Sequence, residues 1–370
     1  MKRERPMRTW IFPADPQPFL LGQELAGIFA IESASNSMRG VIRFRGRLLM
    51  EPDRAMSLLT ERLWPYGYVP MIRDPHEIAL VRMNTPVAEA SGWRGWPLNL
   101  ALFLATVLTT LFVGALMEGG NPLGDPLALL VGVPFSGSLL LILGLHELGH
   151  YLTARAYGVQ VSLPYFIPMP LPPMGTMGAI IRMQSPIPNR KVLFDIGIAG
   201  PLAGLIAAIP VLVIGLMYSP VTALKGEVWQ EGNSLAYLGL KWLLKGPIPP
   251  GYDVSLHPMA LAGWLGLFVT ALNLMPLSQL DGGHIAYASL GPRFRLVVWF
   301  FIGIMVALFA YSHWEGWLLW IGVSIALGLR HPPPLDNLTP LDGGRRALAM
   351  VALIIFVALL TPLPFAVYAY

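Results

Sequence analysis

"LLLILGLHELGHYLTARAYG", residues 139–158, decides how this chain is read. Its first seven residues, Leu139 to Leu145, are as apolar as a membrane span, and His146, Glu147 and His150 follow directly. Ionisable side chains at membrane depth cost at least ~2.5 kcal/mol each and mark functional sites by default. On a helix, two histidines four residues apart leave from one face, so they can share a metal ion. Glu147 stands beside them, placed to take a proton from a water held by such an ion.

The rest of the chain sets that helix in a bilayer. Of 370 residues, 55% are hydrophobic and 12% charged, with mean hydropathy +0.58; soluble domains carry roughly a quarter charged residues. Apolar runs near 96–117, 135–157, 192–218, 259–275, 295–312, 316–329 and 347–367 predict about seven spans. The fourth and sixth fall short of the roughly 20 residues a tilted helix needs to cross. There is no cysteine, which excludes thiolate metal sites, disulfides and cysteine nucleophiles. A net charge of +4 and a pI near 9.3 would suit nucleic acid, but topology accounts for them. With the N-terminus in the cytoplasm, 22 of the 25 Lys and Arg fall inside, leaving Lys225, Lys241 and Lys245 outside. That is the positive-inside pattern against an anionic inner leaflet, and no nucleic-acid partner is implied. The polar start, MKRERPMRTW, argues against a cleaved secretory leader or transit peptide.

Residues 1–92 read as a small soluble α+β domain, and 93–370 as the membrane domain. "VIRFRGRLL" alternates, with Ile42, Phe44 and Leu48 on one face and Arg43, Arg45 and Arg47 on the other, as a half-buried strand does. "EPDRAMSLLTERLW" has helical spacing, and "YVPMIR" and "EIALVRM" add two strands, giving β-α-β-β. Its arginines read as a solvated face near lipid headgroups. The stretch 159–190 holds seven prolines, almost no charge and many apolar residues. Backbone of that kind survives at membrane depth only when packed in protein or lining a wet cavity, so a re-entrant, β-like segment is expected, with "TMGAIIRM" a short strand. An interfacial helix is expected at "SLAYLGLKWLLKG".

A catalytic zinc needs a third protein ligand and an open position. "LNLMPLSQLDGGH", 272–284, offers one: an apolar helix carries Asn273, breaks at Pro276 and presents Asp281 before two glycines. The alternative for Asp281 is a helix cap in an interfacial turn; Asp342, in the second LDGG string, is a rival ligand in a Pro-rich, cytoplasmic loop beside Arg345 and Arg346. His284 is a further candidate, ligand or structural. His257, His76, His313 and His331 are expected to be solvated or on the far side. Asp195, at the start of the third span, is expected to complement a helix dipole or pair with Arg190 or Lys191.

His146-Glu147-Leu148-Gly149-His150, followed by Asn273-Leu-Met-Pro276-Leu-Ser-Gln-Leu-Asp281-Gly-Gly, resembles the site-2 protease family of intramembrane zinc metalloproteases. "GTMGAIIRMQSPIPNRKVLFDIGIAGPLAG", 175–204, resembles its bacterial and chloroplast gravitropism/yellow-green branch. The likeness covers about 130–290, the expected catalytic core. It implies Zn2+ on His146, His150 and Asp281, and Glu147 as general base and acid. It implies hydrolysis of a peptide bond in or near a span of a transmembrane protein substrate. Asn273 would steady an oxyanion or the substrate backbone, or else bridge a kinked helix. Where many relatives carry Asn after the AGP motif this chain has Gly204, so that residue's role does not transfer. No PDZ-like insertion is evident. The implied setting is a multi-pass protein of a bacterial cell membrane, N-terminus cytoplasmic, with a partner or regulator for the soluble domain. A membrane metal transporter or sensor on the same His/Asp cluster is the alternative, but it needs polar groups on several spans and gives Glu147 no task. Prenyl-protein endopeptidases would need a downstream Glu ligand on a helix, and the first glutamates after His150 are Glu227 and Glu231, in a Gly-rich loop.

Overall fold

The computed structural model describes residues 17–37, 41–82, 95–224, 226–277, 279–327 and 331–369. The stretch MKRERPMRTW, Lys225 and Arg330 lie outside the described residues. The chain divides into two compact units. One is residues 1–90 with 186–191 and 332–340; the other is 91–185, 192–331 and 341–370.

In the first unit, β1 (Phe29–Ser37), β2 (Val41–Leu48), β3 (Tyr68–Asp74) and β4 (Glu77–Arg82) form an antiparallel sheet in the order β1-β2-β4-β3. Helices α1 (Gln17–Glu24) and α2 (Pro52–Leu63) give Leu21, Leu59 and Leu63 to a core with Ile42, Phe44, Ile72, Ile78 and Leu80. Ile42 and Phe44 are buried while Arg43, Arg45 and Arg47 are exposed, as the alternation requires. The sheet has one strand more than the pattern announces. In β1 the core residues Phe29 and Ile31 are followed by Ala34, because the register shifts between Ile31 and Ser33. A bulge moves every later side chain to the other face, which erases period-2 alternation from the sequence.

The free side of β3 is covered by the two distant segments. The Ile72 amide donates to Leu335 O (2.8 Å) and the Asn337 amide to Ile72 O (3.1 Å). Next along, the Leu335 and Asp336 amides donate to Ile187 O (2.9 Å) and Pro188 O (2.8 Å). An uncovered strand edge is a template for aggregation, and this sheet hides one of its two.

The second unit is mostly helical. It contains α3 (Trp96–Met117), α4 (Val133–Ala156), a hairpin of β5 (Tyr165–Pro168) and β6 (Thr176–Ile180), and α5 (Arg190–Tyr218), whose first two residues fall in the other unit. Then follow β7 (Val221–Ala223), β8 (Glu227–Glu231), α6 (Leu235–Lys245) and β9 (Tyr252–Val254). After them come α7 (Pro258–Asn273), α8 (Asp281–Leu290), α9 (Phe294–Ser312), α10 (Gly316–Leu327), α11 (Gly343–Leu359) and β10 (Phe365–Ala369). β7 pairs with β9 and β8 with β10. Six of the seven apolar runs are helical over nearly all their described residues, whereas the seventh, 347–367, is helical only to Leu359 and ends in β10. Among the described residues, four helical stretches are long and apolar enough to cross a bilayer, 96–117, 126–156, 190–218 and 281–312, and Pro258–Asn273 and Gly316–Ala326 are shorter. This is an integral membrane protein.

Among the four, α5 is the enclosed one: 61% of its most apolar window is buried, against 22–39% for the others. Small residues permit that. A Cβ on Gly149 of α4 would come within 2.6 Å of Ala199 O on α5, so the two backbones already touch. Close approach through glycine is how helices associate where water gives no hydrophobic drive. Leu139, Ile142, Ala208, Leu212 and Trp264 fill the core among α4, α5 and α7. Leu108, Ile206 and Phe300 face outward, as lipid-facing side chains do.

Candidate metal centre

His146, Glu147 and His150 lie on the last three turns of α4, and all three are buried. A break over residues 274–280 separates α7 from α8, and it delivers Asp281 at the first position of α8. Gly282 makes that turn possible, since a Cβ there would lie 2.0 Å from Leu274 O. Asp281 Oδ2 then sits 3.1 Å from His146 Nε2, and Oδ1 sits 3.2 Å from His150 Nε2. The two Nε2 atoms are 3.1 Å apart. Donors bound to one tetrahedral zinc at about 2.0–2.1 Å are about 3.3 Å from each other, so the trio has ligand spacing.

Proton bookkeeping points the same way. His150 Nδ1 lies 2.7 Å from Ile196 O. A carbonyl only accepts, so Nδ1 carries the hydrogen, which in the neutral, metal-binding form of the ring leaves the Nε2 lone pair facing Asp281 and His146. Lone pairs and a carboxylate thus converge on one point, and Asp281 Oδ2 is a buried oxygen with no hydrogen-bond donor. Converging acceptors repel unless a cation sits among them, and the donor set fits a divalent metal ion. The backbone carbonyl behind His150 is the kind of partner that fixes a ligand's tautomer and aim.

Glycines of α5 form the floor. A Cβ on Gly200 would lie 2.1 Å from His150 Nε2, and one on Gly204 would lie 3.2 Å from His146 Nδ1. On Gly197 it would lie 2.9 Å from His284 Cβ. Gly204 therefore backs the His146 ring closely, leaving a Cβ a few tenths of an ångström short of ordinary contact. Asn273, the last residue of α7, places Nδ2 3.3 Å from His146 Nε2. The Glu147 carboxylate interacts with the Ile181 backbone N–H just past β6.

Other expected residues go elsewhere. Asp342 is the N-cap of α11, accepting from the Arg345 amide at 3.0 Å. Asp195 is held by Arg345, Nε to Oδ1 at 2.8 Å and Nη2 to Oδ2 at 2.5 Å, and by the Tyr157 hydroxyl. The partner found for Asp195 is thus Arg345, 150 residues along the chain. Lys191 instead lies 3.4 Å from Asp53 within the first unit. His331 is not solvated: it is 7% exposed, stacks on Tyr287, and its Nε2 is 2.6 Å from His284 Nδ1. His257 caps α7 through Nδ1.

Residues 134–310 match the profile of Peptidase family M50. That segment belongs to the M50, site-2 protease, family. The M50 segment takes in the whole trio. The chain is 33% identical over 242 residues to "Probable zinc metalloprotease EGY1, chloroplastic" of Arabidopsis thaliana, covering 62% of this chain and 43% of the relative. It is 30% identical over 298 residues to the protein of that name from Oryza sativa subsp. japonica, covering 72% and 50%. With "Probable zinc metallopeptidase EGY3, chloroplastic" of Arabidopsis thaliana it shares 26% over 318 residues, covering 78% and 52%. The chain spans about half the length of the curated relatives it matches. The expected family and branch are those found, and zinc is the metal that the family and the trio agree on. The glycine floor and the Ile196 carbonyl were missed from the sequence. The AGPLAG string holds two of those glycines, but only its packing partner tells what they face.

Proposed function

We propose that this chain is an intramembrane zinc metalloendopeptidase that hydrolyses a peptide bond in or near a span of a membrane-protein substrate. The observation that carries it is the convergence of His146, His150 and Asp281 with Glu147 beside them on an apolar helix. Zinc bound by that trio supplies Lewis acidity, which makes a water acidic near neutral pH and polarises the scissile carbonyl. Glu147 takes the proton of the attacking water and passes it to the leaving nitrogen. With the His146 lone pair engaged, the Asn273 amide is free to donate to the developing oxyanion.

A helical substrate hides its carbonyls, so it must unwind, and β6 offers an edge to the unwound strand. The hairpin is read as re-entrant: a Cβ on Gly175 at its tip would lie 2.8 Å from Thr110 Cα, fourteen residues into α3. A peptide added along β6 runs toward Ile181 and hence toward Glu147. Met177→Pro should abolish cleavage while zinc stays bound; if activity survives, the strand proposal is wrong. The seven-span count belongs to this reading too, with α7, α10 and α11 as the shorter crossings. So does an orientation with the N-terminal unit on the cytoplasmic side, which the distribution of Lys and Arg supports.

The decisive test compares wild type with Glu147→Gln and His146→Ala in lipid nanodiscs, measuring zinc content and cleavage of a panel of transmembrane peptides. Glu147→Gln should keep zinc and lose cleavage, and His146→Ala should lose both. Cleavage retained by Glu147→Gln would end the proposal. A metal transporter has less support, because the described residues hold a single cluster of three metal-ligating groups.

A further inference from the structure

The first unit has one face that the chemistry above does not use. Both of its helices and the apolar cluster they cover lie on one side of the sheet, while the other side buries Ala79 opposite Arg43. On that other side, opposite residues of the antiparallel pairs share a face, so Arg43, Arg45 and Arg47 stand in a row along β2. All three are exposed, spaced two residues or about 7 Å apart. Ser35 and Ser33 lie opposite Arg43 and Arg45 on β1, and both are exposed. Among the described residues the acid paired with the row is Glu77, whose Oε2 is 3.7 Å from Arg45 Nε, and Arg45 remains 72% exposed. The exposed carboxylates Glu51, Asp53 and Glu61 sit on or beside α2, across the sheet. Arg54 and Arg62 are exposed on α2 and Glu32 is exposed on β1, so what sets the β2 row apart is the alignment of three exposed guanidinium groups on the open side of the sheet.

We propose that the β2 arginine row is a docking surface for anionic phospholipid headgroups. Three arginines in line present three forked donors to a plane of phosphates, the recognition for which guanidinium is suited. The unit is continuous with membrane helices at several points of the chain, at Lys191–Val192, His331–Pro332 and Pro340–Leu341 as well as through residues 83–94. It is thus held close to a bilayer, where even a weak headgroup affinity suffices. A single-stranded nucleic acid would ask for aromatic platforms on the sheet. This face offers serine beside the arginines and Ala79 and Met71 beyond them.

The chain has no cysteine, so Ser35→Cys gives a unique site for a fluorophore on the full-length protein. The labelled chain is placed in nanodiscs of phosphatidylcholine alone, or with about 30% phosphatidylglycerol, each with the same fraction of nitroxide-headgroup lipid. Each basic residue near an anionic surface adds roughly fivefold to partitioning, so the row should add about a hundredfold. The expected result is strong quenching in the anionic discs only, fading between 50 and 500 mM salt and lost in the Arg43→Gln/Arg45→Gln/Arg47→Gln variant. Arg54→Gln on α2 should leave it unchanged, and circular dichroism checks that the triple variant is folded. Equal quenching in both disc types, or quenching that survives the triple variant, overturns the proposal. So does a label that responds to added single-stranded RNA and not to anionic lipid.

Discussion

Gly200→Ala is the smallest change that tests the metal centre. The added Cβ would lie 2.1 Å from His150 Nε2 and 2.5 Å from both Cδ2 and Cε1, whereas ordinary contact begins at 3.4 Å. Something must therefore move by about 1.3 Å. The helix is poorly placed to supply that movement, because α5 is also packed backbone to backbone against α7, where a Cβ on Gly215 would lie 2.2 Å from Ala260 N and one on Gly263 2.6 Å from Leu212 Cα. The imidazole must leave, and with it goes the hydrogen bond from Nδ1 to Ile196 O. Metal–ligand distances tolerate only about ±0.2 Å, and disturbing even an outer partner of a ligand weakens binding 10- to 100-fold, so zinc affinity should fall by at least about 100-fold. Competition with a chromogenic chelator measures it on the purified chain. Folding gives the control, since Ala in a helix interior is more favourable than Gly by up to ~1 kcal/mol. Zinc should be lost without loss of helix content. Gly137→Ala and Gly144→Ala, whose Cβ positions meet nothing within 4 Å, should bind zinc normally. Gly204→Ala, at 3.2 Å, asks for a few tenths of an ångström and should fall within about tenfold of wild type. Wild-type zinc affinity in Gly200→Ala would refute the assigned geometry.

Three further outcomes concern what holds the frame. Lys241 is 6% exposed and its ammonium lies 3.3 Å from Glu231 and 2.9 Å from Asp253, so Lys241→Met should destabilise the pairing of β8 with β10 by roughly 3–5 kcal/mol. Limited proteolysis of residues 219–258 reads this out, and unchanged resistance would contradict it. Burial, and then Glu231 beside it, raises the Tyr237 hydroxyl above its ordinary 10.0. The folded state keeps a proton that the unfolded state releases, so stability should decline as pH rises past 10, and Tyr237→Phe should flatten that slope in thermal melts. Arg345→Gln removes both bonds to Asp195 in a partly exposed setting and should lower stability by about 1–2 kcal/mol, with zinc affinity unchanged.

What the sequence made legible was whatever depended on local period. The four-residue histidine spacing, the arginine alternation of β2 and the helical apolar runs each encode their own geometry, and each appears as read. Relations between distant segments were not legible. Nothing near Asp195 names Arg345, and nothing near β3 announces that residues 335–337 and 187–189 extend its sheet. The bulge in β1 concealed a strand by breaking the very alternation that reveals one. His331 follows the sixth apolar run, an interfacial place where a solvated side chain is expected, yet Tyr287 and His284 pack against its ring. In the site the acids and imidazoles stood out because lipid makes them costly. Glycine carries no such signal: its meaning at 200 and 204 is the ring across from it.

Charge balance supplies a last, independent constraint. The partly buried carboxylates of the membrane unit that form ion pairs do so with an ammonium or guanidinium: Glu231 and Asp253 share Lys241, and Asp195 holds Arg345. Asp281 and Glu147 are buried together, and the ionic partners of Asp281 among the described residues are imidazoles only. Two carboxylates with no guanidinium or ammonium amount to a deficit that a dication fills. Stripping the metal should then leave the pair repelling each other, an interaction of roughly 1–3 kcal/mol at an effective dielectric near 20. Glu147→Gln removes one of those charges and none of the ligand trio. After chelation the variant should therefore melt above chelated wild type, while with zinc bound it should show no such gain. That crossing is specific to a carboxylate whose counter-charge is the metal. If chelated Glu147→Gln melts at or below chelated wild type, the two acids do not share a missing cation, and the centre has been misread.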